Sequence, residues 1–455
     1  GYIIRHLNRM RRTKISGMDV LVMKLAVNGG ARTVPEGLVK PWPWITEEDK
    51  NAVLEALDAG VLAHWGEHLP LLERDWAQYV GVKHCLATNS GTSALHMCVA
   101  AAGIRPGDEV ITSAFTFLAS ASCVLHHNGI PVFADIDPRT YNIDPGKIEE
   151  KITEKTKAII PVHIHGLPAD MDRVNAVAER HGLTVIEDAC QAHGAEYKGR
   201  KIGALGDMAA FSLNANKNMQ AGEGGLFVTD DDDFKTRAEM VRTFGEVVKP
   251  GVPREYNAFV MGWMYRPNAM TAALARSQLK RLDDMNALRI RNCKHLTHNL
   301  LKIDGVQPPS VPIDVKHVYW AYVVRFKPET LGLSVQADAF RDAVVQALNA
   351  EGVPVGRWQT MPLPAQTLFQ RREGYGYGCP WSCPHARKGI EYHVEDYPET
   401  LRYLRDYACV RGINPPNGLD LMEYYMEAFR KVFENLDPIV ELAEKIERAE
   451  GAENR

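Results

Sequence analysis

Phe211-Ser212-Leu213-Asn214-Ala215-Asn216-Lys217-Asn218-Met219-Gln220-Ala221-Gly222-Glu223-Gly224-Gly225 sets one lysine in a polar, glycine-closed segment between two apolar runs, Ala209-Ala210-Phe211 and Gly225-Leu226-Phe227-Val228. Upstream, the apolar run Thr184-Val185-Ile186 ends in Glu187-Asp188. Alone, a lysine in a polar loop is ordinarily a solvated one, and an Asp closing a strand is ordinarily a helix cap. A third segment changes the reading. In His84-Cys85-Leu86-Ala87-Thr88-Asn89-Ser90-Gly91-Thr92-Ser93-Ala94-Leu95-His96-Met97 a short apolar strand runs into small polar residues and then into an alanine-rich helix. Such a helix start offers unpaired N–H groups to an anion, Gly91 lets the backbone come close, and the Ser90, Thr92 and Ser93 hydroxyls can add hydrogen bonds. An ordinary Ser/Thr cap explains this loop when it stands alone.

Taken together, an amine, a strand-end carboxylate and an anion cradle match the needs of one cofactor, pyridoxal 5'-phosphate (PLP). Its aldehyde needs an amine to hold it as a Schiff base, its pyridine nitrogen needs a carboxylate to stay protonated, and its phosphate needs a helix start.

The order of motifs resembles the DegT/StrS-type sugar aminotransferases, PLP-dependent enzymes of fold type I. Residues 40–285 carry the resemblance: Ser90-Gly91-Thr92-Ser93-Ala94-Leu95, Gly107-Asp108-Glu109-Val110-Ile111-Thr112-Ser113-Ala114-Phe115-Thr116-Phe117, Pro161-Val162-His163-Ile164-His165-Gly166, Ile186-Glu187-Asp188-Ala189-Cys190-Gln191-Ala192-His193-Gly194-Ala195, the Lys217 segment, and Gln278-Leu279-Lys280-Arg281-Leu282. The resemblance implies that Lys217 holds the cofactor and shuttles a proton, and that Asp188 pairs with the ring nitrogen. It further implies that Gln191 contacts the phenolic oxygen or ring face, that Phe117 stacks on the ring, and that Ser212 joins Gly91 and Thr92 on the phosphate. Without the motif around it, Phe117 would read as a plain core residue.

Three positions depart from the family pattern. Met264 stands where an asparagine ordinarily reaches the phosphate in the neighbouring subunit, and a thioether cannot donate a hydrogen bond; Asn268 is the candidate to take that role. Asn214 and Phe244 stand where histidines are frequent, and Pro267 interrupts the usual helix start. These read as substrate-pocket variation.

The chain has 455 residues, 45% of them apolar, long enough for two cores, and no apolar run long enough to cross a bilayer. With 53 basic against 57 acidic residues and a net charge of -4, nothing global points to nucleic acid or to a membrane surface. The eight cysteines, among them Cys85, Cys98 and Cys123, lie mostly in apolar contexts, which suits reduced thiols in a cytoplasm. Arg5, Arg9, Arg11, Arg12 and Lys14 precede the first acid, Asp19. That segment has no hydrophobic stretch of signal-peptide length and reads as an N-terminal arm rather than a targeting sequence.

Beyond Pro43 the pattern alternates helix and strand. Helices are expected over Glu47–Leu57 and about Leu71–Tyr79, and strands at Cys85-Leu86-Ala87, Val110-Ile111, Pro131-Val132-Phe133, Ala158–Val162, Thr184-Val185-Ile186, Ala209-Ala210-Phe211 and Gly225–Val228. The fold class is therefore α/β, a mainly parallel sheet that places Ser90, Asp188 and Lys217 beyond its strand ends. One long helical stretch from Asn268 to about Leu300, a strand over His317–Phe326 and a helix over Gln336–Ala350 lead into a smaller α+β unit. The expected organisation is an extension over 1–40, a large PLP-binding domain over 41–285 and a small domain over 286–455.

Three constellations read blandly. His163-x-His165 at a strand end would put both rings on one face, as pocket or core histidines rather than metal ligands. Cys379-Pro380-Trp381-Ser382-Cys383-Pro384-His385 lacks a second cysteine pair at zinc spacing and reads as a loop, so no metal is expected. Gly374-Tyr375-Gly376-Tyr377-Gly378 is a surface loop able to close over a sugar ring.

The functional expectation is a PLP-dependent aminotransferase that moves an amino group from L-glutamate or L-glutamine to a keto sugar or keto cyclitol. The C-terminal half resembles the scyllo-inosose aminotransferase and aminohydroxybenzoate synthase branches more than the nucleotide-sugar branch. A homodimer with shared sites is expected. Two alternatives are a PLP- or PMP-dependent sugar dehydratase, in which the lysine is characteristically a histidine, and a non-catalytic regulatory relative, which would lose Lys217 or Asp188. This chain keeps both.

Overall fold

The computed structural model describes residues 24–63, 66–248 and 251–453. The basic residues from Arg5 to Lys14 lie outside the described residues.

Seven short strands build the main sheet: β1 (His84–Thr88), β2 (Glu109–Ser113), β3 (Ile130–Ala134), β4 (Thr156–Ile160), β5 (Thr184–Asp188), β6 (Met208–Ser212) and β7 (Gly225–Thr229). Their order is β1-β7-β6-β5-β4-β2-β3. All pairings are parallel except those of β7, which runs antiparallel to both β1 and β6. The strands read as continuous apolar runs because both faces are covered. Val185, Ala209, Phe211 and Val228 enter one core with the helices His68–Val80 and Met171–His181. The alternate residues Ile186, Met208, Ala210 and Phe227 enter another with Gly91–Ala101 and Asp232–Arg242. Period-2 alternation thus sends Glu187 and Asp188 to opposite faces.

Glu187 is fully buried and accepts hydrogen bonds from the N–H groups of Gly203 (2.9 Å), Leu205 (2.8 Å) and Gly206 (2.7 Å). His163 Nε2 lies 3.0 Å away. Since Ala169 N–H donates to His163 Nδ1, the ring proton sits on Nε2 and points at the carboxylate. The carboxylate fastens the turn that feeds β6 and so the lysine segment.

A four-stranded antiparallel sheet, ordered Val306–Gln307, Tyr322–Phe326, Tyr407–Val410 and Val355–Gly356, carries a further core with the helices Ala337–Glu351 and Leu419–Phe433. The leading segment belongs to this core as well: Leu25 and Val34 are buried in it. Glu351 accepts from Ala26 N (2.8 Å) and from Thr33 N (3.1 Å), and Lys431 Nζ donates to Ala31 O (2.7 Å) and to Glu351 (2.8 Å).

Several local expectations are corrected. The stretch from Asn268 is two helices, Ala269–Leu279 and Leu282–Leu300, capped at its start by Asn268 accepting from Thr271 N (2.9 Å), with Pro267 ahead of the cap. The strand expected from His317 begins only at Tyr322, because Tyr319 is left-handed (φ 48) and the preceding residues turn toward the site. His165 is also left-handed (φ 59), so His163 and His165 do not share a strand face: the first meets Glu187 and the second the hydroxyl of Tyr403 at 2.9 Å. No helix among the described residues is long and apolar enough to cross a membrane.

Candidate active site

Strand ends converge on a cavity of about 240 Å³ lined by Ser90, Gly91, Thr92, Phe117, Asp188, Gln191, Ser212 and Lys217, together with Thr116, Asn214, Glu223, Trp320 and Trp358. Eight of the nine residues singled out from the sequence therefore meet in one place. Asn268 does not line this cavity; its side chain is used in the helix cap described above.

Each wall has a local cause. Ser90 caps the helix Gly91–Ala101, its Oγ accepting from Ser93 N at 3.0 Å, which leaves the first turn pointing into the cavity. Ser93 turns away, donating to Asn89 Oδ1 at 2.6 Å, so its hydroxyl is not an anion ligand. A Cβ on Gly91 would stand 2.7 Å from Ser212 Cβ, and one on Gly225 2.3 Å from Ser90 O. Only glycine permits these approaches. Phe117, 54% exposed, is no core residue but stands at the rim.

Asp188 is buried and held on both oxygens: Ser120 Oγ donates to Oδ2 at 2.6 Å and Cys190 N–H to Oδ1 at 3.2 Å, while Thr116 and Ser120 hydroxyls lie 2.8 Å apart. Gln191 Oε1 accepts from His165 N–H at 2.6 Å, which fixes the amide against the left-handed turn. The Lys217 amine sits 4.5 Å from the centre of the Trp320 ring, and Trp320 Nε1 donates to Asn216 O at 2.9 Å. Desolvation in this setting lowers the Lys217 pKa from the ordinary lysine value, opposed by Cys190, Asp188 and Glu223. His193, fully buried, is pushed down to about 3, first by burial and then by Lys217.

A model of the DegT/DnrJ/EryC1/StrS aminotransferase family matches residues 43–395. The chain belongs to this family. It is 41% identical over 68% of its length to GDP-perosamine synthase of Caulobacter vibrioides, 81% of which is covered. It is 38% identical over 73% of its length to L-glutamine:2-deoxy-scyllo-inosose aminotransferase of Streptomyces lividus, 80% of which is covered. Among solved structures it resembles 3-amino-5-hydroxybenzoic acid synthase with a TM-score of 0.76 at 27% identity, covering 90% of this chain and all of that one. The fold is that of the fold-type-I aminotransferases, and this family member is a PLP-dependent aminotransferase of the sugar and cyclitol group. The cavity fits that cofactor: a desolvated amine, a hydrogen-bonded carboxylate and a glycine-lined helix start face one volume.

Sequence reasoning missed Ser120, Trp320 and Trp358. The Gly374-Tyr375-Gly376-Tyr377-Gly378 segment, expected as a surface loop, does not line the cavity: Tyr375 donates to Leu125 O at 3.1 Å and Tyr377 is fully exposed. All eight cysteines are free, and among the described residues no group of His, Cys, Asp and Glu forms a metal site.

Proposed function

We propose that the protein transfers the amino group of L-glutamate or L-glutamine to a keto sugar or keto cyclitol, in the biosynthesis of an amino sugar or aminocyclitol. The observation that carries this reading is the meeting of Lys217 and Asp188 in one cavity with the glycine cradle. The named relatives support it from two sides, one a synthase of a GDP-linked amino sugar and one an aminotransferase of an inosose.

When bound, PLP supplies an aldehyde that condenses with primary amines and a ring that takes up the electron pair released at the amino carbon. Lys217 would hold the cofactor through Nζ and, when its amine is free, would take the proton from the substrate carbon and return it. Its lowered pKa keeps the amine free to accept that proton. Asp188, fixed by Ser120 and Cys190, keeps the ring nitrogen protonated. Ser90, Gly91, Thr92 and Ser212 would hold the phosphate, Phe117 would cover the ring, and Gln191 would contact its phenolic oxygen or ring face. Asn268, whose Oδ1 caps its helix, would offer Nδ2 to the phosphate of the neighbouring subunit's cofactor.

That last role belongs to a cytoplasmic homodimer. Phe244, Tyr256, Phe259, Met261 and Met264 form an exposed apolar run, with Tyr256 and Met261 each 76% exposed, and this surface suits an interface between copies. Sedimentation should give a dimer that Tyr256→Asp with Phe259→Asp dissociates with loss of activity; a fully active monomer sinks the shared-site reading.

The test of the activity is spectroscopic. Protein supplied with PLP should absorb in the visible, L-glutamate or L-glutamine should bleach the band, and one member of a panel of keto sugars and inososes should restore it. Lys217→Ala should lose both band and turnover. A bleaching rate unchanged in that variant would remove Lys217 from its role.

A further inference from the structure

The half of the molecule built on the four-stranded sheet carries a cleft of its own, of about 660 Å³, between the helices Ala337–Glu351 and Pro398–Asp406 and the stretch 357–362. It shares no lining residue with the Lys217 cavity. Leu404 and Pro362, both buried, give it an apolar side. Its charged lining is four arginines, Arg341, Arg357, Arg402 and Arg405, against two aspartates, Asp338 and Asp342. A volume of this size suits a small molecule, and the excess of positive charge suits an anion.

Those charges are unevenly committed. Asp342 accepts from Arg341 Nε at 2.8 Å, and Arg402 is paired with Glu399 at 2.7 Å. Asp338 is the remaining acid, its Oδ1 accepting from Ala339 N at 3.0 Å. Arg341 is only 2% exposed; its Nη1 donates to the carbonyls of Leu404 (2.9 Å) and Arg405 (2.6 Å), which leaves Nη2 without a hydrogen bond to any described residue. A buried guanidinium with one donor left over on a cavity wall is a ready anion contact. Arg357 and Arg405 are exposed, and neither side chain makes a hydrogen bond or ion pair with any described residue.

The chain ties this cleft to the Lys217 cavity. Arg357 is followed by Trp358, which lines that cavity and meets Trp320 edge to face, 5.1 Å between centroids at 77°. Arg405 stands just ahead of Asp406 and Tyr407, and the Tyr407 hydroxyl accepts from Trp358 N–H at 3.1 Å and from Gln359 N–H at 2.7 Å. Both halves of the clasp that sets Trp358 are thus near in the chain to an uncommitted arginine of the cleft. We propose that the cleft is a regulatory site for a phosphorylated small molecule, bound by Arg341, Arg357 and Arg405, and that its occupation draws Trp358 back from the Lys217 cavity. A terminal phosphate has three oxygens for these three groups, and each guanidinium–oxygen bond is charge-assisted. Withdrawal of Trp358 loosens the wall against which a substrate is held, so occupation weakens substrate binding.

The test uses PLP-loaded enzyme, so that the cofactor's anion cradle is filled, with inorganic pyrophosphate as the probe. Calorimetry should show binding that Arg357→Ala and Arg405→Ala each weaken about ten-fold or more, the scale of one charge-assisted hydrogen bond. Both residues are exposed, so both variants should melt like wild type. Succinate should bind about ten-fold more weakly than pyrophosphate; equal affinity would remove phosphate from the proposal. Pyrophosphate should raise the half-saturation for bleaching by L-glutamate or L-glutamine about five-fold, whereas the two variants should bleach like wild type and no longer respond to it. Titration should also change the tryptophan fluorescence, and Trp358→Phe should abolish that change. No binding at roughly 10 mM probe overturns the proposal. Binding indifferent to both substitutions does so too, because the anion would then sit elsewhere, and so does binding that leaves both bleaching and fluorescence unchanged. If no amino acid bleaches the loaded wild-type enzyme, the aminotransferase reading falls, while calorimetry and fluorescence still decide this proposal.

Discussion

Lys217 rests over an indole ring rather than against a carboxylate, and desolvation is the largest influence on its amine. A depressed amine pKa means that the neutral, nucleophilic form is present at lower pH than in an ordinary lysine. Capture of PLP by the cofactor-free protein should therefore rise with pH through a midpoint below 10.5, the usual lysine value, as followed by stopped-flow absorbance; a midpoint at or above it would contradict the desolvated setting. Asp188 carries a second expectation. Its bond from Ser120 at 2.6 Å is buried, so Ser120→Ala should slow the amino-acid half-reaction about ten-fold, a loss of about 1.4 kcal/mol. Asp188→Ala should slow it by orders of magnitude, because the ring nitrogen loses its partner altogether. If Ser120→Ala matched wild type, the hydroxyl would have no part in orienting the carboxylate. Lys217, Asp188 and the Ser90-Gly91-Thr92 loop were legible because each sits in a local motif whose chemistry is complete within a few residues. Ser120 was not, since it meets Asp188 only after folding brings 68 positions of separation to contact. Trp320 was hidden in what reads as a strand, and Trp358 in no motif at all.

At the level of elements, seven apolar runs were enough to mark the main sheet, because strands covered on both faces are apolar along most of their length. The helix following β1 illustrates how an element makes a site. Its cap, Ser90, is satisfied internally, and its first residue is Gly91, whose missing side chain admits Ser212. Gly91→Ala keeps the helix, as alanine favours it, yet forces Cβ against Ser212 at 2.7 Å. Expected outcomes are a stability loss of about 1–3 kcal/mol by denaturant titration and PLP lost on dialysis; retention of both would show that the cradle has slack. Two elements escaped the sequence. The break between Leu279 and Leu282 contains only helix-compatible Lys280 and Arg281, and it is set by tertiary bonds in which Arg281 reaches Asp49 and the carbonyl of Trp44. The missing half of the strand from His317 has the right residues for a strand, but Trp320 is turned away to donate to Asn216 beside Lys217.

For the molecule as a whole, acid is the expected weakness. His96, His165, His193 and His317 are buried and pushed down to about 3, in each case chiefly by burial. A histidine whose folded pKa is depressed stabilises the fold above its unfolded value near 6.5 and withdraws that stability as pH falls. Each such ring that only the unfolded chain protonates removes about 1.4 kcal/mol per pH unit. Glu187, lowered despite burial by His163 and the N–H groups around it, adds to the loss at still lower pH. The melting temperature should fall steadily from pH 6.5 downward, and a flat profile to pH 4.5 would mean that these rings are protonated in the folded state. The brace on the leading segment bears on a different matter, the order of synthesis. Residues 26–40 leave the ribosome well before their partners Glu351, Asn417 and Lys431. The leading strap therefore waits, undocked, until those distant partners have been made.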